Sequence, residues 1–419
     1  MTLIDLNSYA PFLDSIRLGR PEMIDRLVRW ADQNSGSLNG PGLKAMQALV
    51  QADFDRLPGA FSTLPLDQSA PGAGPGEVML RWQCRPEAPI QVLFNGHFDT
   101  VFGPESAFQK CTVLDNGRLH GPGVTDMKGG LVVLLAALTA FEACPWKERI
   151  GWEILISPDE ELGSPGSAAI LTEAARRHHF GLVFESSLPD GQMVRSRMGV
   201  GHFSYRVRGR AAHVGRDFEA GRNAIEALSR IVLKATALNQ QMEGVIVNVG
   251  RTEGGGPINV VPDRAEAQLN VRVWRADQME EVMGRLRACA EPVVKREGFA
   301  VEMEGGFSRG PKEVTPEVEG LFATIQDCGR PLGLDFGWRD TGGGSDGNIL
   351  AMAGLPNIDS LGVRGEFIHS EKEVVLVDSL VERASLTALF LMRLAKGEVA
   401  LPESILNRSI EQPTGGVKR

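Results

Sequence analysis

Residues 88–100 read APIQVLFNGHFDT. The run 90–94, apolar apart from Gln91, has the pattern of a strand buried on both faces, as the strands of a parallel sheet are. It ends in Asn95, Gly96, His97, Phe98 and Asp99. Ligands collect at the carboxyl ends of strands in open α/β sheets, so His97 and Asp99 stand where a site is expected. An imidazole can bind a metal through one nitrogen and hand its other N–H to a carboxylate, which fixes the tautomer. Alone, such a pair is more often a satisfied surface histidine.

Outward from this strand the same pattern returns. RIGWEILIS (149–157) and FGLVFESS (180–187) read as further strands, and the apolar stretch 130–143 before them reads as a buried helix. Helical spacing also marks PEMIDRLVRWADQ (21–33) and GLKAMQALVQADFDRL (42–57), and SAPGAGPGE (69–77) reads as loop. Strands alternating with helices imply an α/β class with a mostly parallel sheet and helices on both faces. After Met193 the pattern changes. GVGHFSYRVRG alternates like a half-buried strand, and the following segments read as helix, strand, strand, helix and strand through FAVEMEG. That order, β-α-β-β-α-β, is a ferredoxin-like unit able to bury its own core. The expected organisation is a catalytic domain in two segments, 1–197 and 309–419, interrupted by an inserted lid or dimerisation domain, 198–308. The last residues, EQPTGGVKR (411–419), read as a frayed tail.

Composition narrows the classes. With 419 residues, more than one core is expected. A net charge of -9 argues against nucleic acid as the main partner, because phosphate binding needs a basic face. The opening MTLIDLNSYAPFLDSIRLGR carries early acids and no apolar run, unlike a signal peptide. GGLVVLLAALTAF is too short for a membrane span. Five scattered cysteines with no CxxC read as reduced thiols of a cytoplasmic protein.

Further acids and a histidine follow the strands. Asp126 lies in GPGVTDMKGG before the apolar helix, where a helix-capping acid is the ordinary role. The crowding of Gly121, Gly123, Gly129 and Gly130 instead suggests a backbone bent to fix one carboxylate. Glu160 and Glu161 end the next strand, Glu185 ends the one after, and GEFIHSEKE supplies His369. Oxygen and imidazole donors without thiolate suit zinc, cobalt or manganese. Two histidines and three carboxylates suffice for two metals if one acid bridges. One glutamate of the pair is then left over as a general base for a water attacking a carbonyl. A non-catalytic metal-binding protein would have no use for that leftover base. A nucleotide-binding reading fails because no GxxxxGK[ST] or GxGxxG is present.

GHFDT, GPGVTDMKGG, SPDEELGSPGS, GRAAHVG, TGGGSDGN and IHSEKE, in this order, resemble the co-catalytic di-zinc exopeptidases and deacylases over roughly residues 90–400. That family includes glutamate carboxypeptidase, aminoacylase, succinyl-diaminopimelate desuccinylase and acetylornithine deacetylase. The resemblance implies two Zn2+ (Co2+ or Mn2+ as substitutes). His97 and Glu185 would hold one, Glu161 and His369 the other, and Asp126 would bridge. Asp99 would orient His97, and Glu160 would be the general base. His213 in GRAAHVG would reach across a homodimer, formed through the inserted domain, to stabilise the oxyanion. Asn259 and Arg272 match substrate-holding positions. Arg309 is a candidate for a substrate carboxylate, as are the backbone amides around Gly343 and Gly344. Glu185, where many relatives carry Asp, points to the glutamate carboxypeptidase branch and release of a C-terminal amino acid. The alternative is an N-acyl amino acid deacylase or desuccinylase. Either takes a small peptide or N-acyl amino acid.

Overall fold

The computed structural model describes residues 6–114 and 116–410; the tail at 411–419 lies outside them. The chain forms two compact units, one of residues 1–196, 314–341 and 345–419, the other of residues 197–313 and 342–344.

In the first unit a six-stranded sheet runs in the order Ala60–Pro65, Val78–Cys84, Ile150–Ser157, Ile90–His97, Phe180–Val183, Asn357–Ile358. The last four are mutually parallel, and the first two are antiparallel additions at one edge. Every residue of Ile90–His97 and Ile150–Ser157 is buried, which is why both read as near-continuous apolar runs. Ile90, Val92 and Phe94 face one core, where the helices Lys128–Glu142 and Asp378–Lys396 pack. Leu93 and Leu155 face a second core beneath Ala168–Ala175 and Asp346–Met352. Helices therefore cover both faces. Leu131, Leu134 and Leu138 are fully buried, each contributing about 1.5–3 kcal/mol by its removal from water.

Three features differ from the sequence reading. The antiparallel strands Ala60–Pro65 and Val78–Cys84 were not foreseen, since strands that flank a Gly/Pro loop and are only partly buried carry little periodicity. Strand Phe180–Val183 ends two residues before Glu185. A small four-stranded sheet, Gly365–Glu366, Val374–Leu376, Arg118–His120 and Thr112–Leu114, was also unforeseen. It carries the loops of Asp126 and His369.

The second unit is an antiparallel sheet in the order Val245–Gly254, Arg264–Val273, Gly199–Arg208, Ala300–Arg309. Its helices, Ala224–Gln241 and Asp277–Val294, bury one sheet face in a separate core that includes Tyr205, Leu269, Ile231 and Leu286. The chain order is β-α-β-β-α-β. This unit extends to Glu313 because Arg197 and Lys312 pair their backbones beyond the last strand. The glycines 342–344 also group with it: Arg272 donates to the Gly342 carbonyl at 3.1 Å and Arg197 to that of Gly343 at 3.2 Å.

All five cysteines are free thiols. Among the described residues no helix is long and apolar enough to cross a membrane.

Candidate metal centre

Strand Ile90–His97 delivers His97 at its carboxyl end, with the side chain buried. The parallel neighbour Ile150–Ser157 leads into a single 3-10 turn, Glu160–Leu162, that carries the acid pair. Glu185 follows the next strand along. Asp126 comes just before helix Lys128–Glu142, whose start presses on the sheet: a Cβ on Gly130 would lie 1.9 Å from the Phe184 carbonyl oxygen. Only glycine permits that approach. His369 is held with φ +61 and Phe367 with φ +62. Such conformations cost non-glycine residues about 1–3 kcal/mol each and collect where a side chain must be aimed.

These residues converge. His97 Nε2 lies 3.3 Å from Asp126 Oδ1 and 3.6 Å from Glu185 Oε1. His369 Nε2 lies 3.1 Å from Asp126 Oδ2 and 3.1 Å from Glu161 Oε2. Asp126 thus turns one oxygen to each imidazole. Donors about 2.1 Å from a tetrahedral ion stand roughly 3.4 Å from each other, so the separations suit two neighbouring cations. His97 Nε2 and Asp126 Oδ1 are buried and have no hydrogen-bond partner among the described residues. Buried polar atoms left without a hydrogen-bond partner are what a cation would satisfy. Distance alone also groups Glu160 with His97 and Glu185, all within 4.8 Å. Its 3.9 Å from His97 Nε2 is the longest of these contacts.

The electrostatics agree. Burial alone would lower the pKa of His97, but Asp126, Asp99 and the charges of Glu185 and Glu160 raise it well above its usual value. Contacts with Asp126 and Glu161 push His369 up to about 11. Burial first, then the charge of Asp126, pushes Glu161 up to about 8 and raises Glu185 strongly. Burial would raise Asp126 too, but His369 and His97 more than offset it and hold it low. Four carboxylates share one desolvated space with the buried His97 imidazole, the exposed His369 reaches its rim, and without cations the cluster gathers protons.

Supporting residues surround the cluster. Asp99 lies 3.2 Å from His97 Nδ1 through Oδ1, and its backbone carbonyl is 3.0 Å from the same nitrogen. The Asp99 carboxylate also accepts the amides of Glu160 and Glu161 at 3.2 and 3.1 Å, and the Ser37 hydroxyl at 2.7 Å. Ser37, from the helical N-terminal region, was missed in the sequence. So was Glu373, whose buried carboxylate accepts three backbone amides of the Asp126 loop. Burial and Asp126 push its pKa up to about 7.

The remaining candidates lie in the second unit. Arg309 ends strand Ala300–Arg309 and is buried; a Cβ on Gly344 would touch its Cδ at 3.7 Å. Burial and the charge of Arg309 lower the pKa of Arg272, which spans from Asn270 to the Gly342 carbonyl. Three guanidiniums, Arg197, Arg272 and Arg309, therefore meet at one glycine triplet. His213 is exposed and pairs with Val260 as an isolated bridge, and the Val214 amide donates to the Asn259 carbonyl at 3.0 Å. His213 and Asn259 thus share one exposed loop pair.

The profile of Peptidase family M20/M25/M40 matches residues 93–393, which include every residue of the cluster. The chain belongs to this family. Its members are metal-dependent hydrolases of C–N bonds. Among curated relatives, Carboxypeptidase G2 of Pseudomonas sp. (strain RS-16) is 26% identical over 387 residues, 90% of this chain and 91% of that protein. The succinyl-diaminopimelate desuccinylase of Alkalilimnicola ehrlichii is 29% identical over 320 residues, 72% of this chain and 83% of that protein. A tripeptidase structure from Staphylococcus aureus subsp. aureus mu50 superposes with a TM-score of 0.76 at 22% identity, covering 90% of this chain and 99% of that one. At that identity it shows the M20 fold alone.

Proposed function

We propose that this M20 chain releases a C-terminal amino acid from an amide, in the manner of a glutamate carboxypeptidase, with two cations at the cluster. The observation that carries the reading is Asp126, whose two oxygens face His97 and His369 at 3.3 and 3.1 Å. His97 and Glu185 would hold one Zn2+, Glu161 and His369 the other, with Asp126 between them. Co2+ and Mn2+ suit the same oxygen and nitrogen donors. Bound there, the cations supply Lewis acidity to a carbonyl and make a water easier to deprotonate.

The chain's own residues do the rest. Glu160, 3.9 Å from His97 Nε2, takes the proton from the attacking water and passes it to the departing amine. Asp99 anchors its backbone amide and so sets its reach. Arg309 and Arg272, beside Gly343 and Gly344, supply planar forks for the α-carboxylate of the released residue. Asn259 helps hold the substrate. His213 of the partner subunit, in a homodimer built through the inserted unit, steadies the oxyanion. Five free thiols suit a reducing cytoplasm.

The likeness to a desuccinylase supports a second reading, hydrolysis of an N-acyl amino acid by the same residues. Rates on a folyl-glutamate against N-acetyl- and N-succinyl-amino acids, each with a chelator control, separate the two. Faster cleavage of the N-acyl substrates would overturn the carboxypeptidase reading.

A further inference from the structure

Asp126 and His369 reach the cluster on loops 243 residues apart, and one side chain ties those loops together. Glu373 lies four residues after His369 and is fully buried. One of its carboxylate oxygens accepts the Thr125 amide at 2.8 Å and the Asp126 amide at 3.0 Å. The other accepts the Gly123 amide at 3.1 Å. Its carbonyl accepts the Gly121 amide at 3.3 Å, and the next carbonyl, of Val374, accepts the Thr125 hydroxyl at 2.9 Å. On the other side the Glu373 amide donates to Ser370, adjacent to His369. Neighbouring Val374 pairs with His120, where the Asp126 loop begins. The turn between is exposed at Glu371 and Lys372, so Glu373 alone of these charged residues turns inward.

A carboxylate suits this place because it accepts only, with about four lone-pair sites for three converging N–H groups. An amide would set an NH2 against at least one backbone N–H. We propose that Glu373 is a positioning residue: it fixes the Asp126 peptide relative to His369, so that Asp126 already faces both imidazoles before any cation arrives. It touches neither cation nor substrate. The inference rests on the two-cation reading of the cluster.

The test is a Zn2+ competition titration against a chromophoric chelator, on wild type and on Glu373→Gln, with the thermal midpoint of each cation-free protein measured alongside. Wild type is expected to take two equivalents. Glu373→Gln is expected to bind about 10–100-fold more weakly, the usual effect of removing a partner behind the ligands. Should Glu373→Gln not fold, Glu373→Asp, which withdraws the carboxylate by one methylene, is expected to show the same weakening. Equal affinity in wild type and variant, even with a lowered midpoint, would reduce Glu373 to a structural staple and overturn the proposal while leaving the two-cation reading intact. Failure of wild type to take up Zn2+ would overturn both.

Discussion

The Asp99 carboxylate accepts the backbone amide of Glu160 at 3.2 Å. The same group lies 3.2 Å from His97 Nδ1 and accepts the amide of Glu161. It therefore couples the first strand end to the acid pair at the second, beyond the orienting of His97 alone. The His97 ring keeps a second acceptor in the Asp99 carbonyl, so loss of the carboxylate falls mainly on the acid pair. Asp99→Ala is expected to weaken cation binding about 10–100-fold, measured by chelator competition. Ser37→Ala, which removes one donor to Asp99, is expected to have a smaller effect of the same sign.

Glu160→Ala should separate binding from chemistry. Cation stoichiometry is expected to stay at the wild-type value while turnover drops by several orders of magnitude, the scale for loss of a central group. Turnover at the wild-type rate in that variant would remove Glu160 from its role.

The cation-free protein carries an unusual pH signature. Glu161 is raised from 4.5 to about 8 and His369 from 6.5 to about 11, so the folded state holds more protons than the unfolded chain over those ranges. Stability must then fall as pH rises: between about 4.5 and 8 through Glu161, and between about 6.5 and 11 through His369. In chelator, the thermal midpoint is expected to be lower at pH 9 than at pH 6. Saturating Zn2+ should remove or reverse that slope, because cations replace the protons.

At Gly130 the sheet and the helix Lys128–Glu142 leave no room. Gly130→Ala would set a methyl 1.9 Å from the Phe184 carbonyl oxygen, one residue before Glu185. Destabilisation of about 1–3 kcal/mol or more is expected in denaturant unfolding, with weakened cation binding through the shifted Glu185.

Most of the candidate ligands were legible in the sequence because they follow a local signal. His97 and Glu160–Glu161 follow apolar strand runs, Asp126 sits among glycines, and the inserted unit announces itself by a change from continuous to alternating apolar residues. Ser37 and Glu373 gave no such signal. Ser37 acts on a carboxylate 62 residues away and Glu373 on amides about 250 residues away, and no spacing rule links such positions. Glu373 was in the quoted block IHSEKE, but nothing local distinguishes it from exposed Glu371. The Gly342–Gly344 triplet was read as a carboxylate-binding loop of the segment 309–419, and its grouping with Arg197 and Arg272 became visible only through long-range hydrogen bonds.

The central claim is that one carboxylate, Asp126, stands between two cations. Anomalous scattering at the zinc edge from crystals grown with Zn2+ tests it most directly. Two peaks are expected, one at His97 and Glu185 and one at Glu161 and His369, each next to a different oxygen of Asp126. A single peak, or peaks away from Asp126, would contradict it.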